Sequence, residues 1–309
     1  MSDIALTWST EQRNPDTVDL DTLPTVDLVA SIVGADRVVV PAVEAVAGQI
    51  AAAVELAVAA IAQGGRVHYV GAGTSGRLGV LDAVELFPTY HVGSDVVTAH
   101  LAGGEAAMMR AVEGAEDDPQ AGAAAVADAG PHDLVVGIAA SGRTPYVRGA
   151  LAAARERGLP TVLVSSNVQA PLAELADVAI LPDTGPEVVT GSTRMKAATA
   201  QKLVLNTFST ATMVRLGKTW SNLMINVQAT NLKLERRLVR IVEQATGFDP
   251  DAAAALLADA GGDLRVALVA GLAGVAADEA RAALTGLDPD PSRTDDPAGV
   301  RTAVASLTR

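Results

Sequence analysis

The stretch Val67–Gly79, V-H-Y-V-G-A-G-T-S-G-R-L-G, joins an apolar β-prone run to a helix through a turn suited to an anion. Val67, His68, Tyr69 and Val70 read as a short buried strand. Gly71, Gly73 and Gly76 let the backbone turn tightly and approach a ligand, and Thr74 and Ser75 set hydroxyls beside the unpaired N–H groups of a helix start. The combination predicts a phosphate cradle at the carboxyl end of a strand.

Working outward, strand and helix alternate. Upstream, Pro41 to Ala62 is Ala-rich with apolar residues at helical spacing and is stopped by Gln63-Gly64-Gly65. Downstream, the pattern predicts helix from Arg77 to about Leu86, strand from Val96 to Ala102, and helix from Gly104 to Glu113 followed by the acidic Glu116-Asp117-Asp118. Leu134 to Ala140 reads as a third strand, Tyr146 to Arg157 as a helix, Thr161 to Ser165 as a fourth strand and Val178 to Leu181 as a fifth. A long helical run covers Ser192 to Leu216, and beyond Gly217 another helix reaches about Ala245. Apolar strands alternating with helices predict an α/β fold: a three-layer α/β/α sandwich on a mainly parallel five-stranded sheet. Past Gly247 the composition shifts to Ala, Asp and Gly in three or four short amphipathic pieces. The predicted division is residues 1–242, an α/β domain with an N-terminal helical arm, and 243–309, a small helical C-terminal domain.

Composition bounds the function. The 309 residues, 49% hydrophobic, suffice for a large core, and there is no cysteine to form a disulfide, thiolate metal site or thiol nucleophile. The formal net charge of −13 disfavours a nucleic-acid partner. No apolar run approaches the ~20 residues that span a bilayer, and the N-terminus M-S-D-I-A-L-T-W-S-T-E lacks a signal-peptide pattern. The expectation is a cytoplasmic protein with no membrane and no nucleic-acid partner. The four histidines, His68, His91, His100 and His132, show no metal-ligand spacing.

The first motif has an echo. Ser75-Gly76-Arg77 follows the first strand and Ser141-Gly142-Arg143-Thr144 follows the third, so two hydroxyl-bearing loops at strand ends can converge on one ligand. Taken alone, each can also be read as a helix N-cap, a reading that weakens for the pair. In T-G-S-T-R-M-K, residues 190–196, Ser192 and Thr193 can cap the next helix while Arg194 and Lys196 bring cations to the site, or the cations can simply be solvated. The glycines also satisfy G-x-G-x-x-G. A dinucleotide site, however, wants an acidic residue at the end of the second strand, where the chain has Leu101-Ala102-Gly103-Gly104.

These motifs together resemble the sugar-isomerase type of phosphosugar-binding domain, and within it the N-acetylmuramic acid 6-phosphate etherases. The resemblance is nearly chain-long. It is carried by G-A-G-T-S-G-R-L-G-V-L-D-A, A-V-E-G-A-E-D-D, G-I-A-A-S-G-R-T-P-Y-V, E-V-V-T-G-S-T-R-M-K-A-A-T-A-Q-K-L-V-L-N and N-L-M-I-N-V-Q-A-T-N. It implies a lyase that cleaves the D-lactyl ether of N-acetylmuramic acid 6-phosphate in cell-wall recycling, giving N-acetylglucosamine 6-phosphate and D-lactate. It also implies that residues 1–242 are a phosphosugar-binding domain, and it implies a homodimer and no metal or organic cofactor. The family's two catalytic glutamates fall on Glu85 and Glu116, as acid toward the departing lactate and base at carbon 2. The substrate-binding set carried over is Gly73, Thr74, Ser75, Gly76, Ser141, Gly142, Arg143, Thr144, Ser192 and Lys196. The chain departs from the family pattern at Val84, where serine is usual, and at Leu86-Phe87, where cysteine and proline are common.

General acid–base work on a carbon acid and a poor leaving group suits two carboxyls, and an enclosed one would have its pKa raised by burial. A continuous helix from Ser75 would carry Glu85 about 15 Å from the phosphate-binding end, roughly twice the phosphorus-to-carbon 3 distance of a hexose 6-phosphate. Either that helix breaks, or Glu85 serves the partner subunit's pocket. The competing reading is a phosphosugar sensor, as in the related glucokinase regulatory protein, which holds a ligand and turns nothing over.

Overall fold

A computed structural model describes residues 8–227, 232–287, 289–293 and 295–308; the N-terminal stretch 1–7, the 228–231 end of the N-L-M-I-N-V-Q-A-T-N motif and Asp288 lie outside the described residues. The chain divides into two compact units, one comprising residues 1–84 and 93–209, the other 85–92 and 210–309.

In chain order the elements begin with three single 3-10 turns between Ser9 and Thr22, then α1 (Thr25–Ala35), α2 (Val39–Glu44) and α3 (Ala47–Ala62). The single long helix predicted over Pro41 to Ala62 is therefore two, parted at Val46, whose φ of −109° and ψ of 18° leave the helical region. Next come β1 (Val67–Gly71), α4 (Gly73–Tyr90), β2 (Val97–Leu101), α5 (Ala106–Met109), α6 (Pro119–Ala125), β3 (Leu134–Ile138), α7 (Pro145–Glu156), β4 (Thr161–Val164), β5 (Val178–Ile180) and α8 (Lys196–Arg215). The sheet order is β2-β1-β3-β4-β5 with every pairing parallel. β1, β3 and β4 are buried along their whole length, which is why they read as unbroken apolar runs. Val135, Val147, Leu151 and Leu163 pack into the core of one face.

Two differences from the sequence reading bear on function. α4 starts at Gly73, so G-T-S-G is the first helical turn and not a loop ahead of a helix at Arg77. The reason is steric: a Cβ on Gly71 would stand 2.8 Å from the Gly76 Cα, so two glycines let this turn lie directly on the strand end. The helix predicted over Gly104 to Glu113 shrinks to α5. The chain then runs through Gly114, at φ +71°, into a single 3-10 turn, Ala115–Asp117. Asp118 caps α6 by accepting from Ala121 N–H at 2.9 Å, with Pro119 in the first turn.

The second unit carries a two-stranded antiparallel ribbon, β6 (Thr219–Trp220) and β7 (Leu223–Met224), then α9 (Leu232–Thr246), α10 (Pro250–Asp259), α11 (Leu264–Ala273), α12 (Ala277–Leu284) and α13 (Val300–Leu307). Its core gathers Leu238, Val242, Leu257, Leu268, Val269 and Val300. Among the described residues no single helix is long and apolar enough to cross a membrane.

Candidate functional site

The site is built at the carboxyl ends of β1, β3 and β4. At β1, Gly73 adopts φ +54° and opens α4. Gly76 N–H bonds Ala72 O at 3.1 Å, so the N–H groups of Gly73, Thr74 and Ser75 are the unpartnered donors of the helix end, and they sit at its positive pole. α4 is anchored below this turn by Asp82, which accepts from Tyr69 O–H at 2.9 Å, Asn206 Nδ2 at 2.6 Å and Ser209 O–H at 3.1 Å. Burial raises the Asp82 pKa against the pull of these donors. The anchor ties α4 to α8 and fixes where the first turn points.

The matching turn after β3 is held by β4's own continuation, Ser165-Ser166-Asn167, all three buried. Asn167 Nδ2 donates to Ser141 O at 2.9 Å, Ser165 O–H donates to Ala140 O at 3.0 Å and Ser166 N–H donates to the same oxygen at 3.1 Å. Gly142, at φ +66°, is pressed against Ala170, and a Cβ there would run into the alanine side chain. Thr144 occupies the N-cap position of α7 but its side chain makes no cap bond. The hydroxyls of Thr74, Ser141 and Thr144 have no hydrogen-bond partner among the described residues, so their capacity is not taken up by capping. Arg143 lies 4.0 Å over the ring of Trp8, from the N-terminal arm. That arm is tied down by Asn14 Nδ2 donating to Pro186 O at 3.3 Å and Thr17 O–H donating to Val188 O at 2.9 Å.

The third stretch folds differently from expectation. α8 begins at Lys196, not Ser192, and its N-terminus is capped by the fully buried Glu187, which accepts from Lys196 N–H and Ala197 N–H at 3.0 Å each. Burial raises the Glu187 pKa, and these bonds and the Lys196 charge oppose it. Ser192 sits in the preceding turn, half-buried. Lys196 is buried and makes no ion pair among the described residues, while Arg194 is exposed.

Glu116, in the turn Ala115–Asp117, lines a pocket of about 210 Å³ together with Gly73, Arg77 and Ala102. Arg77 holds the facing segment, its Nε donating to Ala107 O at 2.9 Å and Met108 O at 3.2 Å. The structure thus brings the first glycine loop and Glu116 to one pocket. Both Glu116 and Glu85 are exposed, so the enclosed carboxyl expected from the chemistry is not formed by this chain on its own. α4 runs unbroken through Glu85.

Sequence reasoning passed over Gln201, Glu187, Trp8, Arg77 and the Ser165-Ser166-Asn167 turn. Of these, Arg77, which stands in the Ser75-Gly76-Arg77 motif with no role assigned to it, and the last, a third hydroxyl-rich segment directly after an apolar strand, carried a readable signal. His68 and His100 lie elsewhere, stacked with centroids 5.2 Å apart. His68 Nε2 is 2.7 Å from Asp133 Oδ2, and its Nδ1 is 3.0 Å from His100 Nε2.

Residues 49–155 match the family described as the glucokinase regulatory protein N-terminal SIS domain, and residues 106–211 match the SIS domain. The chain is 50% identical over 286 residues to N-acetylmuramic acid 6-phosphate etherase of Mesorhizobium japonicum, covering 92% of this chain and 93% of that one. It is 54% identical over 267 residues to the enzyme of the same name from Symbiobacterium thermophilum, covering 86% and 89%. Among solved structures, a phosphoheptose isomerase from Francisella tularensis aligns with a TM-score of 0.49 and 18% identity, over 62% of this chain and 98% of that one.

Proposed function

The chain belongs to the N-acetylmuramic acid 6-phosphate etherase family, and from that membership we propose that it is a carbon–oxygen lyase acting on N-acetylmuramic acid 6-phosphate. The products are N-acetylglucosamine 6-phosphate and D-lactate, in amino-sugar recycling. On the ring-opened aldehyde, Glu116 takes the proton at carbon 2. The electron pair left there expels lactate from carbon 3, and Glu85 protonates the departing oxygen. Water then adds at carbon 3, so the sugar regains a hydroxyl and no net oxidation occurs. Two positioned carboxyls suffice for this, each contributing about 10²–10⁴-fold.

The single observation that supports the assignment most is the shared pocket of Glu116, Gly73 and Arg77. The phosphate is assigned to the N–H groups and hydroxyls of Thr74 and Ser75 with Gly73 and Gly76, and to Ser141, Gly142, Arg143 and Thr144 on the second loop. The uncapped hydroxyls support this part. Ser192 and Lys196 complete the proposed set, with Lys196 contributing charge rather than the α8 N-terminus, which Glu187 already fills. We assign phosphosugar binding to residues 1–242 and no chemistry to 243–309.

We further propose a homodimer in which Glu85 serves the partner subunit's pocket. Ten helical residues separate it from Ser75, about 15 Å along the axis. Exposed apolar stripes support association with a second copy: Val26, Val29 and Val33 on α1 are 74%, 53% and 66% exposed, and Leu81 and Val84 on α4 are 50% and 63%. A phosphorylated sugar does not cross a bilayer unaided, so the reading implies cytoplasmic action.

The match to the regulatory-protein domain favours a second reading, a sensor that binds a phosphosugar without turnover. A lactate assay separates the two. Enzyme-dependent, saturable D-lactate release from the muramic acid 6-phosphate supports the lyase, and saturable binding with no lactate supports the sensor.

A further inference from the structure

Beneath the first turn of α4, the Ser75 hydroxyl donates to Gln201 Oε1 at 2.9 Å. Gln201 is 0% exposed and Ser75 7%, so this contact is closed to solvent. The other end of the amide, Nε2, is buried with no hydrogen-bond partner among the described residues. A buried amide donor is ordinarily paired, so an unpaired one calls for an explanation.

A serine hydroxyl has one proton. While Ser75 directs it inward to Gln201, the oxygen turns only lone pairs toward the helix end, which repel a phosphate oxyanion. Rotating the Gln201 amide by half a turn exchanges oxygen and nitrogen with no change in shape. Nε2–H then donates to Ser75 Oγ, and the serine proton is released toward the incoming phosphate. Because Nε2 has no hydrogen-bond partner among the described residues, the flip breaks no protein bond at that end, and a phosphate on Ser75 selects the donating orientation.

We infer that Gln201 is a positioning residue that sets the direction of the Ser75 hydroxyl bond, accepting from it in the empty site and donating to it when phosphate is bound. This rests on the proposed reading of Ser75 as a phosphate ligand. Gln201 touches no substrate atom; it acts through Ser75.

The test compares wild type, Ser75→Ala, Gln201→Met, the double variant and Gln201→Glu. Two readouts are taken on each: the Michaelis parameters for lactate release, and the calorimetric affinity for N-acetylglucosamine 6-phosphate, which needs no turnover. Ser75→Ala should raise KM and weaken binding by about tenfold or more, with kcat within about twofold. Gln201→Met should weaken binding by about fivefold, and in the double variant it should add nothing to Ser75→Ala. Gln201→Glu has the shape of glutamine but only accepts when ionised. It should hold the Ser75 proton inward, bind worse than Ser75→Ala and weaken further as pH rises. It also carries the test should Gln201→Met not fold. Independent, multiplying effects of Gln201→Met and Ser75→Ala would overturn the inference, as would folded Gln201 variants with unchanged affinity. Unchanged affinity in Ser75→Ala would remove the phosphate role of Ser75 and the inference with it. Absence of lactate with coupled binding effects would instead remove the lyase reading and keep the coupling.

Discussion

A Cβ on Gly76 would stand 2.5 Å from the carbonyl oxygen of Gly71, a separation that folded chains do not tolerate. This contact seats the first turn of α4 on the end of β1. Gly76→Ala should therefore displace that turn, lowering stability by about 1–3 kcal/mol and weakening phosphosugar binding together. Equilibrium denaturation and calorimetry check it, and an unchanged denaturation midpoint would show that the turn can shift freely.

The alternation of apolar strands and helices was legible because β1, β3 and β4 are buried on both faces and leave no polar alternation to misread. The boundaries that moved did so for local reasons. G-T-S-G looks like a loop by composition but is helical, because Gly71 and Gly76 remove the atoms that would hold helix and strand apart. The break at Val46 is hidden in an Ala-rich run whose helical spacing continues across it. Ser192 and Thr193 carry the composition of a cap, yet Glu187, nine residues ahead of Lys196, supplies it through space. Gln201 reads as an ordinary polar residue within a helix, and only packing against Ser75 shows its surroundings. Asp118-Pro119 did carry a helix-start signal, obscured by the acidic run it belongs to.

The Arg143 guanidinium carbon lies over the Trp8 ring, 4.0 Å from its centre. Trp8→Ala should leave the arginine unpinned and raise KM about three- to tenfold with little change in kcat, in keeping with a cation–π contact of about 0.5–2 kcal/mol. Steady-state kinetics read this. A Trp8→Ala enzyme with wild-type KM would take the arm out of the binding site.

Acid should destabilise the chain through His100. Burial first, then the neighbouring His68 charge and Arg66, push the His100 pKa from 6.5 down to about 4, with Asp128 pulling the other way. The unfolded chain therefore takes up this proton near 6.5 and the folded chain only near 4, so the contribution is intact above that window and lost as pH falls through it. Burial raises Asp133, but the bonds from His68, Gly130 and Arg66 outweigh it and hold its carboxyl below the usual range, which adds a loss of the same sign at still lower pH. Thermal melts should show lower Tm at pH about 5 than at pH about 7, and His100→Gln should flatten that difference. An equal pH dependence in the variant would rule His100 out as its source.

If Glu85 acts across a dimer, two inactive chains should complement one another. Glu85→Gln mixed with Ser75→Asp gives, with random exchange and independent sites, roughly a quarter of wild-type activity, since half the dimers are mixed and each holds one complete site. Mixed dimers verified by mass spectrometry but without activity would put Glu85 in the same chain as its phosphate.

The central claim is that Glu116, facing the first glycine turn across one pocket, is the base at carbon 2. Solvent deuterium at that carbon measures it most directly. With N-acetylmuramic acid 6-phosphate in deuterated water, wild type should place deuterium at carbon 2 and release lactate, Glu85→Gln should exchange the proton without releasing lactate, and Glu116→Gln should do neither. Exchange at the wild-type rate in Glu116→Gln would contradict the assignment.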